Sequence, residues 1–179
     1  MENKTDKRPA AFLDRDGTLV EEVNFLSKVD DLAVFSYSLE AIRRLKEAGY
    51  LIIVVTNQSG IGRGIFEEES MHELHREINR RLENMIDAFY FCPHLPCDGC
   101  ECRKPSIGMI DSAMKDFEID LQKSWMIGDK SIDIETGVNG GVKTGLVLTG
   151  YGAVHRTQLR DQPDVIAENL LLAVEEALK

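Results

Sequence analysis

Two aspartates stand two positions apart, Asp14 and Asp16, directly after the short apolar run in "AAFLDRDGT". Their mutual repulsion costs free energy, so positive charge has to be brought to them. In such a pair one carboxylate can attack an electrophile while its neighbour handles protons. Attack on a phosphate ester sets anion against anion and works only if cations neutralise the charge, which makes Mg²⁺ and a lysine the expected companions. Asp129 and Asp133, in "GDKSID", supply further carboxylate oxygens, hard ligands that suit Mg²⁺ better than a soft metal. Lys104 and Lys130 are the candidate positive partners, and the Thr56 hydroxyl can donate to a phosphoryl oxygen.

A second cluster carries different chemistry. "CPHLPCDGCECRKP" gathers Cys92, His94, Cys97, Cys100 and Cys102 within 11 residues. Thiolates and an imidazole this close suit tetrahedral Zn²⁺, with five candidates for four places. Disulfides and unligated buried thiols are the competing readings, and the cytosolic setting expected below disfavours the former. His72, His75 and His155 have no partner motif and read as ordinary surface or packed histidines.

The elements that must position these groups show a strand-then-helix rhythm. "AAFLD", "YLIIVVTN", "AFYFC", "SWMIGD" and "TGLVLTG" read as strands, with "DVIA" a sixth. Near-continuous apolar strands are what a parallel sheet covered on both faces requires. Between them, Leu39, Ile42 and Leu45 repeat at helical spacing before Gly49, a C-terminal cap. Met71, Leu74, Ile78, Leu82 and Met85 form a second stripe; Ile107, Ile110, Met114 and Phe117 form a third; all three read as core packing. Residues 170–178 read as a closing helix. The alternation predicts a three-layer α/β/α, doubly wound, mostly parallel sheet, which binds ligands beyond the carboxyl ends of its strands. Asp14, Thr56 and Asp129 each fall at such an end. Any one of them could cap the next helix, but three together are hard to explain as separate caps.

The totals bound the rest. A chain of 179 residues, 43% hydrophobic, points to one domain with a substantial core. With 21 Lys and Arg against 31 Asp and Glu, the net charge of −10 disfavours nucleic acid and anionic membrane as partners. No run of about 18 apolar residues is present, and the opening "MENKTDKRPA" lacks a signal-peptide core, so a cytoplasmic location is expected and, as a separate expectation, a monomer.

"DRDGT", "VVTNQSG", "CRKP" and "IGDKSID" resemble, in order, the four motifs of the haloacid dehalogenase superfamily of phosphatases, from Asp14 to Asp133 over about two-thirds of the chain. The ordered set is specific where each motif alone is not. The resemblance implies that Asp14 is a nucleophile forming an aspartyl-phosphate and that Asp16 protonates the leaving alcohol and then activates water. It further implies that Thr56 and Lys104 steady the phosphoryl group, while Asp129 binds Mg²⁺ with Asp14 and the backbone carbonyl of Asp16. The gaps before the second and third motifs leave no room for a cap domain, so a single capless domain over residues 1–179 is expected, with specificity carried by loops.

The cysteine loop, C-x-H…C-x-C-R-K-P, resembles that of two capless subfamilies, the heptose bisphosphate and the histidinol-phosphate phosphatases. By that resemblance Cys92, His94, Cys100 and Cys102 hold a structural Zn²⁺ that pins the loop carrying Arg103 and Lys104, and Cys97 is spare. The short gap from His94 to Cys100 is closer to the histidinol type. "TNQSGIGRG" and the Pro-Ser-Ile-Gly-Met run after Lys104 resemble the heptose type. Substrate contacts are then expected from Glu22, Phe25, Asn57, Gln58, Ser59, Arg63, Arg103 and Lys130. One departure stands out: where heptose enzymes usually carry Asp-His-Gly-Tyr, this chain has Glu22-Val23-Asn24-Phe25, keeping an acid and an aromatic but not the His or Gly. The resemblance implies removal of the C7 phosphate from a manno-heptose 1,7-bisphosphate, a small phosphorylated sugar, on the way to lipopolysaccharide or a related glycan. The alternatives are a histidinol-phosphate phosphatase, a polynucleotide 3′-phosphatase, and a zinc-stabilised binding module without catalysis.

Overall fold

The structure, a computed structural model, describes residues 7–179. The polar opening segment falls largely on residues 1–6, outside the described residues. In chain order the elements are β1 (Ala10–Leu13), α1 (Ser38–Glu47), β2 (Leu51–Asn57), the single turn α2 (Ser59–Gly62) and α3 (Glu68–Arg81). There follow β3 (Ala88–Cys92), α4 (Gly108–Asp116), β4 (Trp125–Gly128), α5 (Ser131–Gly140), β5 (Lys143–Val147), the short α6 (Gly152–His155), β6 (Val165–Ala167) and α7 (Leu170–Ala177).

All six strands expected from the sequence form one parallel sheet in the order β3-β2-β1-β4-β5-β6. The period-two alternation of each strand feeds two separate cores. Ala11 and Leu13 of β1 and Ile52 and Val54 of β2 point to one face, where they meet Ile42 and Leu45 of α1, Leu74 and Ile78 of α3, and Val174 of α7. Phe12, Ile53 and Val55 point to the other face and meet Met109, Ile110 and Ala113 of α4. Each fully buried Leu or Ile contributes about 1.5–3 kcal/mol, so both helical layers are held by the same strands. The result is a doubly wound, Rossmann-like α/β/α sandwich.

Local signals set the helix ends. Gly49, just past α1, adopts φ +86, the left-handed turn that ends the helix. The Asn169 side chain accepts from the Leu172 backbone N–H and starts α7. One expectation needs correcting: Met114 is 42% exposed rather than core. α4 begins only at Gly108 and buries Met109, Ile110 and Ala113, which turns position 114 outward and leaves Phe117 beyond the helix. Among the described residues, no helix is long and apolar enough to cross a membrane.

Candidate active site

The strand order reverses direction between β1 and β4, the point at which doubly wound sheets open a crevice beyond their strand ends. Asp14 leaves β1 and Asp129 leaves β4 side by side there. The Asp14 backbone N–H donates to the Ile127 carbonyl at 3.0 Å, so the two exits are tied together. Both carboxylates are buried.

Lys104 arrives from the loop before α4. Its ammonium lies 2.9 Å from Asp14 Oδ1 and 2.6 Å from Asp133 Oδ1, and donates to the Val55 carbonyl at 2.9 Å. Asn57, at the end of β2, fixes the Lys104 backbone at both ends: Oδ1 accepts from its N–H at 3.0 Å and Nδ2 donates to its carbonyl at 3.2 Å. Burial by itself would raise the Asp14 pKa, but the ammonium groups of Lys104 and Lys130 outweigh it and the carboxyl is held below its usual range. Burial would likewise depress Lys104, and the charges of Asp133 and Asp14 raise it instead.

Asp129 is the unsatisfied member. Its Oδ2 accepts from the Tyr151 N–H at 2.8 Å, while its buried Oδ1 has no hydrogen-bond partner among the described residues, the Lys130 ammonium standing 3.7 Å away. Burial, followed by the nearby charge of Asp14, pushes its pKa up to about 8. Gly17 and Gly150, both with positive φ, close over this carboxylate, and a Cβ at either would run into Asp129 Oδ2. Carboxylate oxygens of Asp14, Asp129 and Asp133 lie within 4.8 Å of one another. Hard oxygen donors, a buried oxygen with no partner and a deficit of positive charge fit a divalent cation of the Mg²⁺ type. Asp133 already uses both oxygens within the protein: Oδ2 accepts from the Lys130 N–H at 3.0 Å, capping α5, while Oδ1 faces Lys104.

The Asp16 carboxylate turns another way. Arg15 Nε and Nη2 each donate to it at 3.0 Å, and Gln58 Nε2 donates at 3.0 Å while also reaching Thr56 Oγ1 at 2.8 Å. A cleft of about 130 Å³ opens here, lined by Asp16, Glu22, Phe25, Asn57, Gln58, Ser59 and Lys130 among others. Lys130 Nζ sits 3.0 Å from Glu22 Oε2 and 5.1 Å from the centre of the Tyr151 ring. Phe25 adopts φ 55, a left-handed conformation uncommon for a bulky residue, at the cleft wall. Two expected contacts lie elsewhere. Arg63 is exposed past α2 and does not line the cleft. Arg103 donates to the His94 carbonyl at 3.2 Å and lines a separate hollow with Cys100 and Lys104.

The metal-type cluster in the cysteine loop is compact. The three Sγ–Sγ distances among Cys92, Cys100 and Cys102 are 3.1–3.5 Å, and His94 Nδ1 lies 3.6 Å from Cys92 and 3.2 Å from Cys102. Tetrahedral Zn²⁺ with Zn–S bonds of about 2.3 Å requires ligand separations of about 3.8 Å, so small displacements admit the ion. All four cysteines are free thiols, and Cys97 is exposed outside the cluster. Burial pushes the Cys92 thiol up to about 12, the state expected of a thiol packed among others without a cation.

Three neighbours of the site were not anticipated from the sequence. Arg15 sits between the two aspartates in "DRD" and is 1% exposed, so the sequence held the clue in a cation flanked by acids. His75 on α3 contacts Arg15 Nη1 at 3.4 Å, with no motif to signal it. Tyr151 reaches Lys130 and Asp129 from the "TGYG" loop.

Residues 101–173 match the family model described as "HAD-hyrolase-like". The D-glycero-D-manno-heptose-1,7-bisphosphate 7-phosphatase of Thermosynechococcus vestitus is 39% identical, covering 94% of each chain. The D-glycero-beta-D-manno-heptose-1,7-bisphosphate 7-phosphatase of Haemophilus ducreyi is 40% identical over 92% of this chain and 95% of its own. Among solved structures, the D,D-heptose 1,7-bisphosphate phosphatase from B. bronchiseptica, complexed with magnesium and phosphate, superposes with a TM-score of 0.88 at 32% identity, covering 95% of this chain and 98% of that one. At such identity over nearly the whole length, with the carboxylates and Lys104 gathered at the sheet's switch point, the chain belongs to the heptose 1,7-bisphosphate 7-phosphatase family of HAD-like hydrolases.

Proposed function

We propose that this protein is a Mg²⁺-dependent phosphatase that removes the C7 phosphate from D-glycero-D-manno-heptose 1,7-bisphosphate. The observation that carries the reading is the buried Asp14 carboxylate, ion-paired to Lys104 beside an Asp129 oxygen that has no hydrogen-bond partner among the described residues and only the Lys130 ammonium 3.7 Å away. Relatives with this specificity in their names, 39–40% identical along nearly their whole lengths, support the substrate.

The chemistry follows from the side chains. An Asp14 oxygen, held ionised by Lys104, attacks phosphorus and displaces the sugar oxygen, forming an aspartyl-phosphate. Asp16, which enters the cycle protonated and regains that proton from water in the second step, gives its proton to that leaving oxygen. The Asp16 carboxylate then takes a proton from water as the water oxygen attacks phosphorus, which returns Asp14 as a carboxylate and releases inorganic phosphate. Thr56 and Lys104 hold the phosphoryl oxygens as charge moves. Asp14, Asp129 and the Asp16 backbone carbonyl would hold Mg²⁺, which when bound neutralises the charge of the ester. Glu22 and Lys130 bracket the cleft mouth with a hydrogen-bond acceptor for sugar hydroxyls and a cation for phosphate.

The zinc cluster acts at a distance. Four protein ligands would leave no open position on Zn²⁺, so its work is to hold the loop that presents Lys104. We read the chain as one capless domain, since the segment between β2 and α4 is filled by α2, α3, β3 and the cysteine loop.

The test compares kcat/KM for both anomers of the heptose bisphosphate, histidinol phosphate and a 3′-phosphorylated oligonucleotide. Preference for a heptose bisphosphate by an order of magnitude or more is expected. Preference for histidinol phosphate or the oligonucleotide contradicts the substrate while leaving the chemistry in place.

A further inference from the structure

Arg15 is an unusual residue to bury. Its guanidinium is 1% exposed, yet among the described residues it makes ion-pair contact with only one carboxylate, that of Asp16. Nε and Nη2 fork onto the two Asp16 oxygens, a bidentate geometry that fixes the plane of the carboxylate. The other terminal nitrogen, Nη1, meets His75 Nε2 at 3.4 Å. For that contact to be a hydrogen bond, His75 must be neutral, with Nε2 as the acceptor. Burial, then the charge of Arg15, keeps it so by lowering its pKa to about 3. The imidazole is itself held: it stacks on Phe89 of β3 with centroids 4.4 Å apart and planes 15° apart. A rigid line thus runs from β3 and α3 through His75 and Arg15 to Asp16, and Gln58 closes it from the far side at 3.0 Å.

We propose that Arg15 and His75 are positioning residues for the acid–base carboxylate: His75 locks the guanidinium, and the guanidinium fixes where Asp16 delivers its proton. The inference rests on the proposed role of Asp16 and deepens it. Arg15 lies at the cleft wall but is 1% exposed, with its guanidinium nitrogens taken up by Asp16 and His75, so both side chains act through Asp16. The physical consequence is a selectivity for leaving groups. A sugar alkoxide departs only if it is protonated, whereas a nitrophenolate departs without help. Loosening the acid therefore slows cleavage of an alkyl phosphate and spares an aryl phosphate.

The experiment measures kcat/KM, which reports the phosphorylation step, for the heptose bisphosphate and for p-nitrophenyl phosphate. Wild type, Asp16→Asn, His75→Leu, His75→Gln and Arg15→Lys are compared. His75→Leu keeps bulk and removes the acceptor; it should lose about 10- to 100-fold on the sugar ester and less than about 3-fold on the aryl ester. Arg15→Lys keeps the charge without the fork and should show the same selective loss, which keeps the test decisive if His75→Leu does not fold. His75→Gln, whose amide oxygen can accept from Arg15, should recover most of the sugar-ester activity. Equal losses on both esters, or no loss on either, overturn the positioning role while leaving the phosphatase reading intact. A wild-type protein inactive on both esters, or an Asp16→Asn variant without leaving-group selectivity, overturns the acid–base reading and this inference with it.

Discussion

The Lys104 ammonium lies 2.9 Å from Asp14 Oδ1, with the two side chains 1% and 6% exposed. A charge pair this dry is weak evidence for stability, because desolvation offsets much of the attraction, but breaking it leaves uncompensated charge. Here the break is worse, since Asp133 faces the same ammonium at 2.6 Å. Lys104→Met should therefore cost about 3–5 kcal/mol in urea unfolding with chelator present, and lower kcat by about 10²–10³. A variant as stable and active as wild type would remove Lys104 from both roles.

Asp129, as the proposed Mg²⁺ ligand, is expected to make cation binding depend on pH. Its carboxyl is raised to about 8 by burial and by Asp14, so the metal-free folded protein holds a proton there at neutral pH. The folded pKa lies above the unfolded one, so this group's contribution to stability is present at low pH and is lost as pH rises from about 4 through about 8. Mg²⁺ held by Asp129 would have to displace that proton. Its apparent affinity should tighten by up to about tenfold per pH unit below 8 and level off above it, with proton release visible by titration calorimetry in buffers of different ionisation enthalpy. An affinity flat across that range contradicts the assignment.

His75 shapes the acid side of the stability curve. Its folded pKa is depressed from 6.5 to about 3, so its contribution is complete above 6.5 and is lost as pH falls toward 3. Each pH unit inside that window should cost about 1.4 kcal/mol. Urea unfolding at two pH values one unit apart within the window should show His75→Gln losing less than wild type by about that amount. Equal slopes would mean that the histidine titrates freely.

The cysteine cluster separates ligand from bystander. Protein purified without chelator should carry one zinc per chain. Cys97→Ser, exposed and outside the cluster, should keep the metal and the activity. Cys100→Ser should lose metal, and lose activity with it as the loop bearing Lys104 loosens. Zinc retained by Cys100→Ser but lost by Cys97→Ser would reverse the ligand set.

Much of this was legible because strands and motifs write themselves locally. All six strands showed as short, near-continuous apolar runs, and Asp14, Thr56, Lys104 and Asp129 are brought to one region as the doubly wound sheet requires. The helix α5 was not read. Its buried face is Asp133, Ile134, Thr136 and Gly137, because the site takes one position and Gly137 packs against Thr144 and Met126, so no apolar stripe exists to be seen. Arg63 and Arg103 were assigned to the substrate from their neighbours in sequence, but loop backbone conformation decides where such side chains go, and it carries both away from the main cleft. His75 reads as a packed histidine, and it is packed; its contact with Arg15 joins α3 to the loop after β1, a pairing of distant segments that no local pattern encodes.

The central claim is that Asp14 carries the phosphoryl group. Rapid acid quench of a single turnover with the heptose bisphosphate, followed by peptide mass spectrometry, tests it most directly. The account predicts a phosphoryl adduct on Asp14 that forms and decays within the turnover, absent in Asp14→Asn and accumulating in Asp16→Asn with an aryl phosphate. Full turnover by Asp14→Asn, or an adduct on any other residue, would contradict it.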